Sequence, residues 1–243
     1  MSEAPQPAVD AAHIRANLDD VAARAAAAAR AAGREPGDVR ILLATKTQPA
    51  EAIRVAIDHG FPLIGENRVQ ELTGKAEALA DLPHEAHLIG PLQKNKVNHA
   101  LREASCIQSV DSAELAEKIQ RRLEAVDGRV DVLVQVNTSR EASKSGVAPE
   151  GAQGLLAALA PLDRLRVRGL MTIGLPGSTE AEIRPSYARL RELRDALIAD
   201  GALAADACEL SMGMSGDFEL AIAEGATMVR VGSTVFGARP APR

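Results

Sequence analysis

Short runs of apolar residues alternate along this chain with longer stretches in which apolar residues recur every three or four positions. The short runs have the length of strands, and the longer stretches have the period of amphipathic helices. We predict eight strands, at residues 41–44, 63–65, 86–89, 106–110, 130–137, 165–172, 209–211 and 228–231. Seven helices are predicted between them, near residues 50–59, 67–80, 93–102, 112–126, 150–160, 179–200 and 216–224.

This alternation predicts an α/β protein with a parallel sheet, because parallel strands need crossover connections that are usually helices. Eight strand–helix units in 243 residues match the size of a (β/α)8 TIM barrel. A doubly wound open sheet is the alternative, but no G-x-G-x-x-G sequence opens a helix after the first strand. No linker rich in Pro, Gly or Ser divides the chain, so we predict one domain over residues 1–243, with residues 1–9 flexible.

An extra helix is predicted before the first strand. The stretch 22–32 is rich in alanine, which is the best helix former. Asp10 can cap the start of this helix, and Gly33 can end it. An apolar stripe for packing against the barrel is formed by Ile14, Leu18 and Val21.

Composition and charge exclude several classes of function. The chain has 28 Lys and Arg against 33 Asp and Glu, so its net charge is −5 and it has no basic surface for nucleic acid. No apolar run is long enough to span a membrane, and the first residues lack the pattern of a secretory signal. Cys106 and Cys208 lie in separate strand-like runs, which predicts reduced, buried thiols in a cytoplasmic protein.

The side chains available for the core and for metal binding are also limited. With one Tyr, three Phe and no Trp, the core is expected to be aliphatic. The five His residues are scattered, and none lies at metal-ligand spacing from Cys or an acidic residue. We therefore expect no zinc or iron site.

Lys46 is the first candidate for chemistry. It ends the apolar run of the first strand and precedes a helix, and the carboxyl ends of the strands are where TIM barrels place their active sites. Burial of its stem would lower the pKa of the amine, and a neutral amine can form a Schiff base with an aldehyde. The alternative is a lysine that extends its charge to the rim of the barrel.

A second candidate site lies at the ends of the last two strands. Barrels often bind phosphate with the loops after strands seven and eight and the start of a short extra helix. The groups available there are the hydroxyls and flexible backbone of Ser215, Gly216, Gly232, Ser233 and Thr234. The alternative is that Ser215 and Ser233 are ordinary helix N-caps.

A Schiff-base lysine together with a phosphate site indicates a phosphorylated aldehyde, and pyridoxal 5′-phosphate fits. Arg230, at the end of strand eight, could then reach the pyridine nitrogen. Because arginine only donates hydrogen bonds, that nitrogen would stay unprotonated and the ring would be a weaker electron sink. The alternative for Arg230 is a surface ion pair.

Stretches from near residue 40 to Gly237 resemble a known family. They are ATKT (44–47), IGENRVQE (64–71), HLIGPLQKNK (87–96), SKSG (143–146), GLMT (169–172), SMGMSGD (211–217) and VRVGS (229–233). They resemble the pyridoxal phosphate homeostasis proteins, also called YggS or PROSC proteins, which are themselves similar to the N-terminal barrel of alanine racemase. Pro91 departs from the family pattern, which often has His there.

The resemblance implies a single barrel that carries pyridoxal phosphate on Lys46, with Asn67 beside the cofactor ring. It implies that Ser215, Gly232 and Ser233 hold the phosphate and that Arg230 faces the pyridine nitrogen. The family is regarded as cofactor carriers or homeostasis factors without established turnover. Pyridoxal phosphate-dependent apo-enzymes are therefore the expected partners.

Two enzymatic alternatives stay open beside the carrier. An amino-acid racemase needs an acid/base group on each face of the substrate, and Tyr187, the one Tyr of the chain, falls within a predicted helix. A Schiff-base aldolase would instead use Lys46 on a sugar phosphate. Lys144, after strand five, is either a second aldehyde-reactive lysine or an exposed loop residue. We expect a monomer, because a closed barrel leaves no sheet edge free.

Overall fold

The structure is a computed structural model, and it describes residues 9–139, 145–174 and 179–237. The predicted Lys144 and residues 1–8 lie outside this part of the chain. Eight parallel strands form a closed barrel in chain order, and β8 pairs with β1. The strands are β1 Arg40–Ala44, β2 Leu63–Glu66, β3 Glu85–Leu88, β4 Cys106–Val110, β5 Val130–Gln135, β6 Leu165–Met171, β7 Glu209–Met214 and β8 Met228–Val231. The predicted TIM barrel is confirmed.

Helices surround this barrel and connect its strands. They are α1 Ala11–Ala31, α2 Ala50–Asp58, α3 Val69–Leu79, α4 Val97–Glu103, α5 Ala113–Glu124, α6 Ala152–Leu159, α7 Glu180–Ala199, α8 Phe218–Ala223 and α9 Ser233–Phe236. Short 3₁₀ turns occur at Pro36–Asp38, Lys94–Lys96 and Pro149–Gly151.

The extra N-terminal helix forms as predicted. The side chain of Asp10 accepts a hydrogen bond from the backbone N–H of His13, which caps the first turn. Gly33 follows the last turn with φ 70°. Ile14, Leu18 and Val21 are buried, so the predicted stripe is the face that packs on the barrel.

Strand ends differ from the predicted ones where the chain leaves the sheet. We predicted strand five to run to residue 137, but β5 ends at Gln135. Val136 instead forms an isolated parallel bridge with Val147, outside the eight strands. β7, by contrast, is longer than predicted, because it continues to Met214, three residues beyond the predicted end.

Two predictions about buried side chains need correction. Cys106 is buried as expected, but Cys208 is exposed, because it lies just before β7 begins. The layer between helices and sheet is mostly aliphatic, as expected, although Tyr187 and Phe218 are also fully buried there, and the barrel interior holds polar side chains as well. Those of Gln108 and Ser211 are fully buried there and hydrogen-bonded to each other.

Candidate functional site

A cavity of about 670 Å³ opens at the carboxyl ends of the strands. It is lined by all six residues predicted to bind the cofactor: Lys46, Asn67, Ser215, Arg230, Gly232 and Ser233. Apolar side chains, including Ile89, Ile173 and Met214, complete the wall. Residues from distant parts of the chain therefore share one cavity, because each follows or ends a strand of the same barrel.

The backbone around Lys46 is held by the neighbouring strand–helix unit. Lys46 is half-buried and lies two residues after the end of β1. The next residue, Thr47, has φ 65°, which is rare for a β-branched side chain. The N–H of Thr47 donates to the Glu71 carboxylate at 2.9 Å, and its hydroxyl donates to the Lys46 carbonyl at 2.6 Å. These two bonds hold the backbone in an otherwise unfavourable conformation.

Behind Lys46 lies a buried carboxylate–lysine pair that the sequence analysis missed. Glu66 ends β2 with only 1% of its side chain exposed, and its Oε1 accepts bonds from Lys75 Nζ and Thr45 Oγ1, both at 2.7 Å. Lys75 also donates to the Thr45 carbonyl at 2.9 Å. The pair therefore ties the ends of β1 and β2 to α3.

Burial decides the ionisation of this carboxylate. Desolvation raises the pKa of Glu66 to about 7, although the nearby Lys75 acts to lower it. Among the described residues, its second oxygen, Oε2, has no hydrogen-bond partner. A carboxylate in an otherwise apolar strand is a signal that the sequence does contain, whereas Lys75 on α3 looks like any exposed helical lysine.

Asn67 follows Glu66 and is brought to the cavity by a close backbone contact. A Cβ at Gly90 would lie 2.2 Å from the Asn67 carbonyl oxygen, so only glycine fits there. The loops after β2 and β3 therefore touch directly.

Arg230 is buried at the base of the cavity. One guanidinium nitrogen, Nη1, donates to Ser211 Oγ and the other, Nη2, donates to the Thr172 carbonyl, each at 2.8 Å. Burial lowers the pKa of Arg230 to about 10, so the side chain is still charged at neutral pH. The alternative of a surface ion pair is wrong, because Arg230 is only 5% exposed.

The loops after β7 and β8, which were predicted to bind phosphate together, are hydrogen-bonded to each other. Ser215 Oγ accepts the N–H of Gly232 at 3.0 Å and the N–H of Thr234 at 3.4 Å. The hydroxyl of Thr234 donates to the Ser215 carbonyl at 3.3 Å. The N-cap alternative is wrong for both serines, because Asp217 is the N-cap of α8 and Gly232 is the N-cap of α9.

Asp217 and Tyr187 are further polar residues beside the cavity that the sequence analysis did not select for binding. Asp217 lines the cavity and accepts the N–H of Met214 at 2.6 Å. The fully buried Tyr187 donates its hydroxyl to the other oxygen of Asp217 at 3.0 Å. Burial and the Asp217 charge raise the pKa of Tyr187 far above its ordinary value. This phenol therefore keeps its proton.

Metal-binding clusters and membrane-spanning helices are the two remaining features of interest in the part of the chain that the structure describes. There, no group of three or more His, Cys, Asp or Glu side chains could hold a metal ion. Within residues 9–139, 145–174 and 179–237, no helix has both the length and the apolar character needed to cross a membrane.

The sequence and the fold of this chain both match those of known proteins. The family model of the alanine racemase N-terminal domain matches residues 9–240. A pyridoxal phosphate homeostasis protein of Pseudomonas aeruginosa is 46% identical over 93% of this chain and 96% of its own length. The protein of the same name from Aquifex aeolicus is 43% identical over 91% of this chain and 96% of its own length.

A solved structure of PipY from Synechococcus elongatus, with pyridoxal phosphate bound, is similar over 92% of this chain and all of that one, with a TM-score of 0.81 and 36% identity. The chain therefore belongs to the family of the alanine racemase N-terminal domain and, within it, to the pyridoxal phosphate homeostasis proteins.

Proposed function

We propose that this protein binds pyridoxal 5′-phosphate as a Schiff base on Lys46 and acts as a carrier or regulator in vitamin B6 and amino-acid homeostasis. The observation that carries the proposal is the single cavity lined by Lys46, Asn67, Arg230 and the two loops after β7 and β8. The names of the relatives and the ligand of PipY support it.

The residues around the cavity fit the shape of the cofactor. Pyridoxal phosphate carries its aldehyde and its phosphate arm on neighbouring ring carbons. Lys46 follows β1, and Gly232 follows β8, and these two strands pair directly. A Cβ at Gly232 would lie 2.8 Å from the Ala44 carbonyl oxygen, so the two strand ends are in close contact. An amine and a phosphate cradle side by side are what the cofactor requires.

The phosphate would bind where Ser215, Gly232 and Ser233 meet. Backbone N–H groups and hydroxyls are good donors to a phosphate oxygen. Ser215 Oγ accepts the N–H groups of Gly232 and Thr234, which orient its hydroxyl. Its own proton is therefore free to point toward an anion.

Arg230 would donate to the pyridine nitrogen, and Asn67 would lie beside the ring. When bound, the cofactor supplies an aldehyde that reacts with amines and a ring that withdraws electrons. A charged arginine at the ring nitrogen keeps that nitrogen unprotonated, which weakens the withdrawal. This environment suits holding the cofactor better than it suits deprotonating an amino acid.

Racemisation is the second candidate, and Tyr187 argues against it. A racemase needs a second base besides Lys46, but the Tyr187 proton is held by Asp217 at 3.0 Å. The test is exchange of Cα deuterium across a wide panel of amino acids, with Lys46→Ala as the control. We expect no exchange that depends on Lys46, whereas such exchange with any amino acid would establish an enzyme.

A direct aldolase is distinguished by its carbonyl partner. Borohydride reduction of the protein with pyridoxal phosphate, followed by peptide mapping, is expected to label Lys46. Labelling of Lys46 by a sugar phosphate, without any by pyridoxal phosphate, would instead support the aldolase. The same mapping tests Lys144 as a second reactive lysine.

We also propose that the protein works in the cytoplasm and transfers the cofactor to apo-enzymes that depend on it. Mixing the loaded protein with such an apo-enzyme tests the transfer. Faster activation than by the same concentration of free pyridoxal phosphate would support direct delivery, and equal or slower activation would contradict it.

A further inference from the structure

A chain of hydrogen bonds crosses the interior of the barrel and ends at Arg230. Arg230 Nη1 donates to Ser211 Oγ at 2.8 Å, and Ser211 Oγ donates to Gln108 Oε1 at 2.7 Å. Gln108 Nε2 contacts His87 Nδ1 at 2.8 Å. The four side chains come from β8, β7, β4 and β3, and none is more than 5% exposed.

The other end of this hydrogen-bond chain, His87, lies near the face of the barrel opposite the cavity. His87 Nε2 is 3.7 Å from the Glu85 carboxylate, and Glu85 begins β3 with 53% of its side chain exposed. The cavity end and the opposite end of the barrel are therefore connected through Gln108.

The donors and acceptors along the chain fit one arrangement. Arginine only donates, so Ser211 Oγ must present a lone pair to Arg230 and direct its one proton elsewhere. Gln108 Oε1 accepts that proton. A reversed Gln108 amide would place a second donor against Ser211 and leave the hydroxyl proton without this acceptor. The amide orientation therefore determines the direction in which the Ser211 lone pair points.

The orientation of the Gln108 amide matters because the two groups that accept hydrogen bonds from Arg230 differ in rigidity. The Thr172 carbonyl is part of the backbone beside β6, whereas a serine hydroxyl can rotate. A buried guanidinium that loses an acceptor pays a desolvation penalty and can be expected to reorient. Among the described residues, the Gln108 amide is the group that accepts the Ser211 proton and so orients this second acceptor.

We propose that Gln108 is a positioning residue, which acts through Ser211 to hold the Arg230 guanidinium in the orientation that meets the cofactor ring. The part of this proposal that concerns the ring rests on the proposed function. The part that concerns Arg230 does not, because the hydrogen bonds exist in the protein alone.

The first test therefore uses the unloaded protein. Gln108→Leu keeps the bulk of the side chain and removes its polar atoms. Ser109→Ala is the matched control, because Ser109 is the next residue of β4, is equally buried, and has a hydroxyl without a partner among the described residues. We expect the guanidinium NMR signals of Arg230 to be resolved in the wild type and in Ser109→Ala, and to be averaged by rotation in Gln108→Leu.

The second test measures pyridoxal phosphate affinity and the absorption spectrum of the bound cofactor. Gln108→Leu is expected to weaken binding by roughly fivefold, as for one lost hydrogen bond, and to change the spectrum. Gln108→Glu keeps the oxygen that faces Ser211 and should restore both. In an Arg230→Ala background, Gln108→Leu should have no further effect on affinity.

Unchanged Arg230 signals in Gln108→Leu would overturn the proposal, and so would fully additive effects of the two substitutions on affinity. If Gln108→Leu does not fold, Gln108→Met, an unbranched side chain of similar length without the amide, replaces it and must give the averaged Arg230 signals. If the wild type does not bind pyridoxal phosphate, the proposed function fails, while the NMR comparison still decides the role of Gln108.

Discussion

At the scale of single residues, Glu66 and Glu71 lie on either side of Asn67 and contact the same lysine, yet the pKa values of the two carboxyls are shifted in opposite directions. Burial raises the pKa of Glu66 to about 7. Burial acts to raise the pKa of Glu71 as well, but the neighbouring Glu66 side chain, the hydrogen bond from the Thr47 N–H and the charge of Lys75 together lower it. The two residues therefore respond oppositely to pH.

The stability contribution of Glu66 should fall as pH rises. Its folded pKa of about 7 lies above the ordinary 4.5, so the folded state binds more protons than the unfolded state between these values. We expect wild type to lose roughly 3 kcal/mol relative to Glu66→Gln between about pH 4 and pH 8. Urea unfolding of both proteins across this range measures it.

Glu71→Gln is the control with the opposite sign. Because the folded pKa of Glu71 is lowered, its contribution should be present above the ordinary pKa and should be lost as pH falls. If the difference between wild type and Glu66→Gln does not change with pH, Glu66 is not titrating in the way that its burial implies.

Ser215 is the residue through which the phosphate should be tested. Ser215→Ala is expected to weaken binding of pyridoxal phosphate by on the order of 1.5–3 kcal/mol, because a charge-assisted hydrogen bond is lost. Binding of pyridoxal, which has no phosphate, should change little. Ser105→Ala, which removes a hydroxyl bonded to Ala86 near the start of β4, is a suitable control.

If wild type binds pyridoxal and pyridoxal phosphate equally well, no phosphate site exists between the loops after β7 and β8.

Some residues at the candidate site could be identified from the sequence, and others could not. Lys46 was identifiable because an amine that ends an apolar run is unusual. The pairing of Glu66 with Lys75 was not, because their contact depends on how α3 packs behind β1 and β2. Lys75 has no local pattern that separates it from an exposed helical lysine.

At the scale of elements, the contact between β1 and the start of α9 brings the two halves of the candidate site together. β1 pairs with β8 along four residue pairs, from Arg40 with Met228 to Leu43 with Val231. Gly232 then passes close to the Ala44 carbonyl, where no Cβ fits without movement. The distance between the amine and the phosphate loops depends on this contact.

Glycine substitutions should separate this contact from general stability. Gly232→Ala is expected to lower the free energy of unfolding and to weaken binding of pyridoxal phosphate, because a Cβ would lie 2.8 Å from the Ala44 oxygen. Gly74→Ala, in α3, meets no atom within 4 Å and should stabilise the protein by up to about 1 kcal/mol. Thermal unfolding and cofactor titration of both variants provide the comparison.

Equal behaviour of the two glycine variants would contradict the close contact at Gly232.

The sequence predicted elements better than their ends. Each strand and helix has its own local period, which a single chain contains. The end of β5 could not be predicted, because Val136 continues an apolar run but pairs with Val147, which lies outside the strands of the sheet. The exposure of Cys208 was missed for a similar reason, since it precedes the strand in which its run was placed.

At the scale of the whole molecule, the closed barrel satisfies every strand edge within one chain. Alternation along the sequence was enough to predict it, because each strand–helix unit is local. The polar chain through the interior was not predictable, because the meeting of His87, Gln108 and Ser211 depends on how the strands are staggered around the barrel. Only the folded molecule brings these residues together.

This closure also predicts the oligomeric state. Among the described residues, the exposed large apolar side chains are Val126 (50%) and Ile173 (37%), and Ile173 lines the cavity. Such scattered residues do not form an apolar patch for a stable partner. We expect a monomer of about 25.5 kDa by sedimentation or light scattering at all practical concentrations.

A dimer that persists on dilution would contradict this expectation and would locate an interface that the exposed apolar surface does not suggest.

The most direct test of the central claim is an absorbance spectrum of the purified protein with pyridoxal phosphate, beside the same spectrum of Lys46→Ala. The Schiff base on Lys46 should give the wild type a yellow absorption band that the variant lacks, while both proteins keep the same circular dichroism. A wild type that stays colourless with the cofactor, or a band that survives in Lys46→Ala, would contradict the assignment of Lys46.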